Sequence, residues 1–551
     1  MQPYSNKPKL LPIGPAFTAP LVSIPHIKAH LSLLHAFGRL KKLVERSESH
    51  EVVVPPTAAG YRWAWFVGLA VERFELWCKW SFDKLYDIEE FLKYHLPPID
   101  VFMVWHSYSL NPAWYQEDVK RVSTLGFLEN VSRLVEMHFE GIVSCLLSGP
   151  SDTRISEWTN ATQLPFDPIE STQVLITRMI ICPNCRKDLV VPLSNEFGTG
   201  YLQPNFSARC SNSTSGLQCP EINKARLAAR KLAKDISTNG WCDNMEDYQT
   251  YIAGTLYTQT DPYDYKKARY IKDMILDSAK FRQPGGARYS LPLLDQPNRK
   301  SSHEKSRQSQ EKWELGILRR VEFSTDLMHR AMRKHMPMTY DENDEKLLSR
   351  IMGAYADDKP WSINLVAAVL RQGSFIKRMK DLGWTEASFL EAVEGEHVLK
   401  HSVLRYHAFL DLLYGSPDSF FVPTLDIDLV WHTHQLMASK YRRDCMQFLN
   451  RFLDHNDQVA RSRLSSAFEE TCQAWKRRFN TSYTNSEPRA ASNRLPSRRP
   501  ERELKEEGRD TALDYEAFQA TADILVLTRQ LGLCGTGECM SGGCAGGPCG
   551  T

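Results

Sequence analysis

Pro423-Thr424-Leu425-Asp426-Ile427-Asp428-Leu429-Val430-Trp431-His432 is one of two nearly matching stretches in this chain. The other, Pro97-Pro98-Ile99-Asp100-Val101-Phe102-Met103-Val104-Trp105-His106, lies 326 residues earlier. Continued through Leu110 and Leu436, Tyr115 and Tyr441, to Asp118 and Asp444, the two agree at eight of 22 positions without a gap. Chance rarely sets two Trp-His pairs in one register, so the match reads as an internal duplication, and that reading decides the architecture.

Working outward, Ser23-Ile24 with Ala29, Leu31, Arg39 and Leu43 aligns with Ser362-Ile363, Ala368, Leu370, Arg378 and Leu382. Val71-x-Arg73-Phe74 aligns with Val403-x-Arg405-Tyr406. Leu365, Val366, Val369 and Leu370 mark one helical face, and Phe409, Leu410, Leu412 and Leu413 another. Pro423 and Thr424 read as a helix start, with Asp426 and Asp428 in a first turn that favours carboxylates, and Ser439 as the cap of the next helix. The expected fold is mainly α: two related helical domains with a small cysteine-rich, β-containing, zinc-knuckle-like insertion.

The boundaries follow composition. Residues 1–150 form the first helical repeat domain and 313–485 the second. Between them lie a cysteine-rich segment at 165–240, a helical extension at 241–280 and a linker at 281–312 that is poor in large apolar residues. Short β-like runs fall at Met179–Cys182 and Leu189–Leu193, and a helix from about Glu221 to Ile236. A second linker at 486–510, a terminal helix at 511–533 and a Gly/Cys tail at 534–551 complete the expectation.

The 551 residues are 42% apolar, enough for several folding units, and the net charge of +2 gives no global pull toward nucleic acid or membrane. No run of 18 apolar residues occurs, so no ordinary transmembrane helix is expected. Met1 to Pro20 lacks the pattern of a secretory signal, which points to a cytoplasmic protein, with the nucleus as the alternative. The 13 cysteines then read as thiols or metal ligands.

The chief chemical signal is Cys182-Pro-Asn-Cys185 followed by Cys210 and Cys219. A CxxC turn sets two thiolates on one knuckle, and tetrahedral zinc takes two more from elsewhere. The second pair is spaced wider than usual, and four unrelated thiols are the plainer alternative. A filled structural site of this kind leaves no position for catalysis.

The second signal is Asp426-x-Asp428-x-x-x-His432-x-His434. Asp428 and His432 share a helical face, whereas His432 and His434 lie about 200° apart and cannot chelate one ion from a regular helix. The first copy has Phe102 for Asp428 and Tyr108 for His434. The structural reading is that the tryptophans pack the core, the histidines bond to carboxylates or carbonyls, and the aspartates cap. If a catalytic or metal site exists, His432, His434, Asp426 and Asp428 are its candidates, with His407 and His455 beside them.

The third signal is Cys534, Cys539, Cys544 and Cys549, one every five residues in a glycine-rich tail, readable as a metal or thiol site or as a tail of reactive thiols. No phosphate-binding loop, dinucleotide fingerprint or nucleophile elbow is present. Short basic clusters such as Arg319-Arg320 read as a solvated surface, and no nucleic-acid module is found.

Three blocks carry a resemblance. They are Ala368-Val369-Leu370-Arg371-Gln372-Gly373-Ser374-Phe375-Ile376, Arg405-Tyr406-His407-x-Phe409-Leu410, and Val422 through Leu436; Asp454-His455-x-Asp457 and Thr471-x-x-x-Trp475 extend them. Together they resemble the glycine-rich domain-containing protein family over roughly residues 20 to 485, and the Cys/Gly tail looks like that of fungal members. The resemblance implies a link with stress response and development, known for plant members. It transfers no catalytic residues. The RNA-recognition module of some members is absent here, so RNA binding does not carry over.

The expected role is a binding or scaffold protein with a structural zinc and protein partners, a reading favoured over an enzyme. The alternatives are a metal-dependent enzyme at the second Trp-His-x-His block, and a thiol or metal sensor working through the terminal cysteines.

Overall fold

The computed structural model describes residues 10–47, 61–214, 219–238, 251–283, 299–336, 342–455 and 461–484. The expected linker at 486–510, the terminal helix and the Gly/Cys tail lie outside the described residues. So does 241–250 of the expected helical extension.

The protein is mainly helical. A hairpin of β1 (Leu11–Ile13) and β2 (Ala16–Thr18) precedes α1 (Ile24–Arg46), α2 (Arg62–Trp80), the short α3 (Ile88–Glu90), α4 (Ile99–Ser109), α5 (Pro112–Arg121), α6 (Phe127–Leu147), α7 (Asp152–Thr162) and α8 (Pro168–Val174). A second hairpin, β3 (Thr177–Ile181) with β4 (Asp188–Pro192), opens the cysteine-rich segment. Then come α9 (Lys224–Ser237), α10 (Tyr265–Leu276), α11 (Arg299–Arg320), α12 (Thr325–His335) and α13 (Glu342–Gly353). The last group is α14 (Leu365–Asp381), α15 (Ala387–Glu391), α16 (Val393–Gly415), α17 (Leu425–Leu436), α18 (Ala438–Leu449) and α19 (Arg461–Phe479). No described helix is long and apolar enough to cross a membrane.

Local chemistry starts these helices. Ser23 caps α1 by accepting from the His26 N–H, with Pro25 in the first turn; Asn223 does the same for α9 and Asn364 for α14. Thr424 precedes α17 as expected, but its hydroxyl goes to Asp426 Oδ1 at 2.5 Å rather than to a backbone N–H. Ser439 does not cap α18: that helix starts at Ala438, and the Ser439 N–H donates to Ser132 Oγ.

Two helix pairs have matching neighbours. α2 packs on α4, and α16 packs on α17. In the first pair Arg73 reaches Asp100 at 2.7 Å and donates to the carbonyls of Pro165 and Phe166, with its guanidinium 5.0 Å from the centre of the Trp158 ring. In the second Arg405 reaches Asp426 at 2.6 Å and donates to the carbonyl of Tyr483, with its guanidinium 5.4 Å from the centre of Trp475. Both guanidiniums are buried forks, a geometry that lysine cannot reproduce.

The two regions expected as separate domains bury their side chains in one apolar core. It runs from Ile13 to Phe166 and resumes from Trp361 to Tyr483. The reason is packing: α14 lies across α2 and α4, while α1 touches α16 and α17. β1 sits on α16, where Gly14 (φ +56°) passes so close to Tyr414 that a Cβ would come within 2.5 Å of its ring.

A second core joins α9 to α10 through α13, from Ala228 to Tyr355. Residues 313–355 therefore pack with 228–281, and the boundary expected at 313 does not divide cores. The stretch expected as a linker at 281–312 is helical from Arg299, because Trp313, Ile317 and Leu318 bury one side of α11 in this second core.

Candidate metal centres

The first centre is built on the β3–β4 hairpin. Ile181 pairs with Asp188, and the turn between them closes as the Cys182 N–H donates to Lys187 O at 2.9 Å and the Arg186 N–H to Cys182 O at 3.0 Å. Arg186 turns the chain at φ +63°. This folds Cys182 and Cys185 onto one knuckle. An antiparallel bridge between Ala208 and Ile222 brings in the arms that carry Cys210 and Cys219.

The four Sγ atoms lie within 4.8 Å of one another, with Cys185 and Cys210 at 3.4 Å, and none forms a disulfide. Four thiolates about 2.3 Å from a tetrahedral zinc stand about 3.8 Å apart, so the donor set and spacing fit that ion. Asn184 Nδ2 donates toward Cys219 Sγ at 3.6 Å. Burial pushes the Cys182 thiol up to about 12. Burial raises Cys185 too, but the Lys187 N–H and the neighbouring thiols outweigh it and bring it down to about 7. Trp65 and Leu69 of α2 and Leu227 of α9 close the apolar side of this segment.

At the second Trp-His block the candidates separate into four groups. Asp426 is held by Arg405 and Thr424 and belongs to the buried clamp. His434 sits between the Tyr406 hydroxyl at 2.9 Å and Asp444 Oδ2 at 3.0 Å, on the opposite side of α17 from His432. Burial, first of several causes, lowers its basicity. Tyr108, the residue that aligns with His434 in the sequence, donates its hydroxyl to Asp118 at 2.7 Å. His407 accepts from the Leu21 N–H at 3.0 Å and ties the start of α1 to α16.

His432, Asp428 and His455 converge. His432 Nε2 lies 3.3 Å from Asp428 Oδ1 and 3.2 Å from His455 Nε2, and His455 Nε2 lies 3.7 Å from the same carboxylate oxygen. Asp428 and His432 meet because they stand one turn apart on α17. His455 arrives from the segment after α18, where Leu453 O accepts from Tyr441.

Sequence reasoning did not find the buried pair beside this cluster. His30 Nε2 lies 2.9 Å from His106 Nε2, and its Nδ1 lies 2.9 Å from Thr433 Oγ1. His30 is held well below the usual histidine range by burial, then by His106 and His432. Partners 76 and 403 residues apart leave no local signal. Cys534, Cys539, Cys544 and Cys549 lie outside the described residues.

The Glycine-rich domain-containing protein-like family matches residues 278–444. Glycine-rich domain-containing protein 2 of Arabidopsis thaliana is 32% identical over 152 residues, which cover 26% of this chain and 18% of the relative. Glycine-rich domain-containing protein 1 of the same plant is 31% identical over 134 residues, covering 23% of this chain and 15% of the relative. The chain thus spans less than a fifth of the length of either relative. No solved structure matches it.

Proposed function

The chain belongs to the glycine-rich domain-containing protein family through residues 278–444, and from that premise we propose that it is a protein-binding scaffold whose cysteine module is organised by one structural zinc. Cys182, Cys185, Cys210 and Cys219 would hold that ion, and it would supply the cross-links that so small a segment lacks in apolar core. The observation that carries the reading is the module's outer face. Met179 and Val190 are register partners and both are exposed, and Val174, Ile176 and Phe197, just before and after the hairpin in the chain, are exposed too. An exposed pair of large apolar side chains on neighbouring strands is a surface on which a partner would bury area.

The rest of the chain is the frame. We read its two related halves as copies of one ancestral helical unit. The twin Arg-Asp clamps and the matched Trp-Tyr bonds support this. Most of the polar residues in the Trp-His block are occupied in holding helices together, which favours a scaffold over a catalyst at Asp426, His434 and His407.

The test is a Met179→Glu, Val190→Glu variant of the full chain. The expected result is unchanged melting and zinc content together with loss of the proteins that the parent chain captures. Capture of the same proteins at the same level by this variant would overturn the reading.

A further inference from the structure

We propose that Asp428, His432 and His455 form a second, independent site that binds one divalent first-row transition-metal ion through Oδ1 and two Nε2 atoms, with coordination positions left open toward solvent. It does not rest on the zinc assigned to the cysteines, and it shares no residue with them.

The three donor atoms make a triangle with sides of 3.2, 3.3 and 3.7 Å. An ion about 2.1 Å from each, the ordinary metal–imidazole and metal–carboxylate distance, sits just off the plane of that triangle. Two imidazoles and one carboxylate on one side of the ion leave the opposite side for water or an oxygen-donor ligand. The exposure agrees with that direction: the side chain of His432 is 3% exposed, that of His455 14% and that of Asp428 19%.

The ligands are held before any ion arrives. The His432 ring packs against Phe375 with centroids 4.5 Å apart. The His455 ring stands edge-on to Trp431 at 5.3 Å, and Trp431 is itself fixed by its bond to Tyr441. Asp454 Oδ1 accepts from the Ala113 N–H and from the His455 N–H, which ties the segment bearing His455 to the first half. Orientation by such neighbours is what distinguishes a built metal site from a chance meeting of side chains.

The equivalent place in the first half lacks the site. Phe102 stands where Asp428 does, and His106 turns to His30 instead. Asp428 is therefore the residue that converts one copy of a shared packing motif into a ligand set. Imidazole with carboxylate suits zinc, iron(II), cobalt(II) and nickel(II) better than calcium or magnesium.

Cobalt(II) is the probe. Thiolate-bound cobalt shows intense sulfur-to-metal charge transfer, whereas cobalt held by nitrogen and oxygen shows only weak ligand-field bands. The full chain, freed of weakly bound metal by dialysis, is titrated with Co²⁺. The expected result is one equivalent bound without thiolate charge transfer. Its affinity falls at least tenfold in Asp428→Asn and in His455→Gln, while the zinc content and the circular dichroism stay unchanged. The proposal is overturned if all bound cobalt shows thiolate charge transfer, or if the other component binds equally well in both variants. Failure of the cysteine site would appear separately, as absence of zinc from the dialysed chain before cobalt is added.

Discussion

Trp431 donates its indole N–H to the hydroxyl of Tyr441 at 2.9 Å, and Tyr441 passes the chain on to Leu453 O at 3.0 Å. In the first half Trp105 donates to Tyr115 at 3.2 Å, and Tyr115 to Leu128 O at 3.0 Å. Each relay joins two helices and a following stretch of chain through buried groups. Tyr441→Phe and Tyr115→Phe each leave a buried indole N–H and a carbonyl unsatisfied. Each should cost about 1–3 kcal/mol in denaturant unfolding. Equal losses at the two positions support equivalent roles, and a negligible loss at either contradicts them.

The Arg73–Asp100 pair predicts a larger effect. Both side chains are 1% exposed, and removing one charge strands the other. Asp100→Asn should destabilise the protein by about 3–5 kcal/mol. Lys377→Ala, which breaks an exposed pair with Asp381 on α14, should change stability by less than about 1 kcal/mol. Chemical denaturation of the two variants measures the contrast.

Acid should unfold the protein through buried neutral histidines. Burial, then Lys84, lowers His95 to about 4; burial, then His434 and Lys440, lowers His407 to about 4. Both lie below the ordinary value of about 6.5, so the unfolded chain binds more protons between those limits. Stability is then full above about pH 6.5 and is lost as the pH falls toward about 4, at up to about 1.4 kcal/mol per unit for each group. Protonated His407 also loses its bond from the Leu21 N–H. Melting temperatures between about pH 7.5 and 4 should fall over that window, and His407→Gln, whose carbonyl can still accept from Leu21, should flatten the fall.

Much of the helical frame was legible in the sequence because apolar residues fall at helical spacing, as at Leu365, Val366, Val369 and Leu370 on α14 and at Phe409, Leu410, Leu412 and Leu413 on α16. The separation of His432 from His434 was legible too, since a regular helix fixes the angle between them. The merging of the two halves into one core was not, because periodicity names the buried face of α14 but not what covers it. The part of α11 before Trp313 reads as linker because its Ser, Gln, Lys and Arg residues hide a helix-compatible stretch that runs on into Trp313, Ile317 and Leu318. His455 stood beside the other candidates in the sequence, yet only the fold of the segment after α18 shows that it meets Asp428 and His432 while Asp426 does not.

Metal analysis of the purified full chain, parent and Cys182→Ser, tests the cysteine module most directly. One zinc per parent chain is expected, and it disappears in the variant. A parent chain without zinc, or a zinc content that Cys182→Ser leaves unchanged, would contradict it.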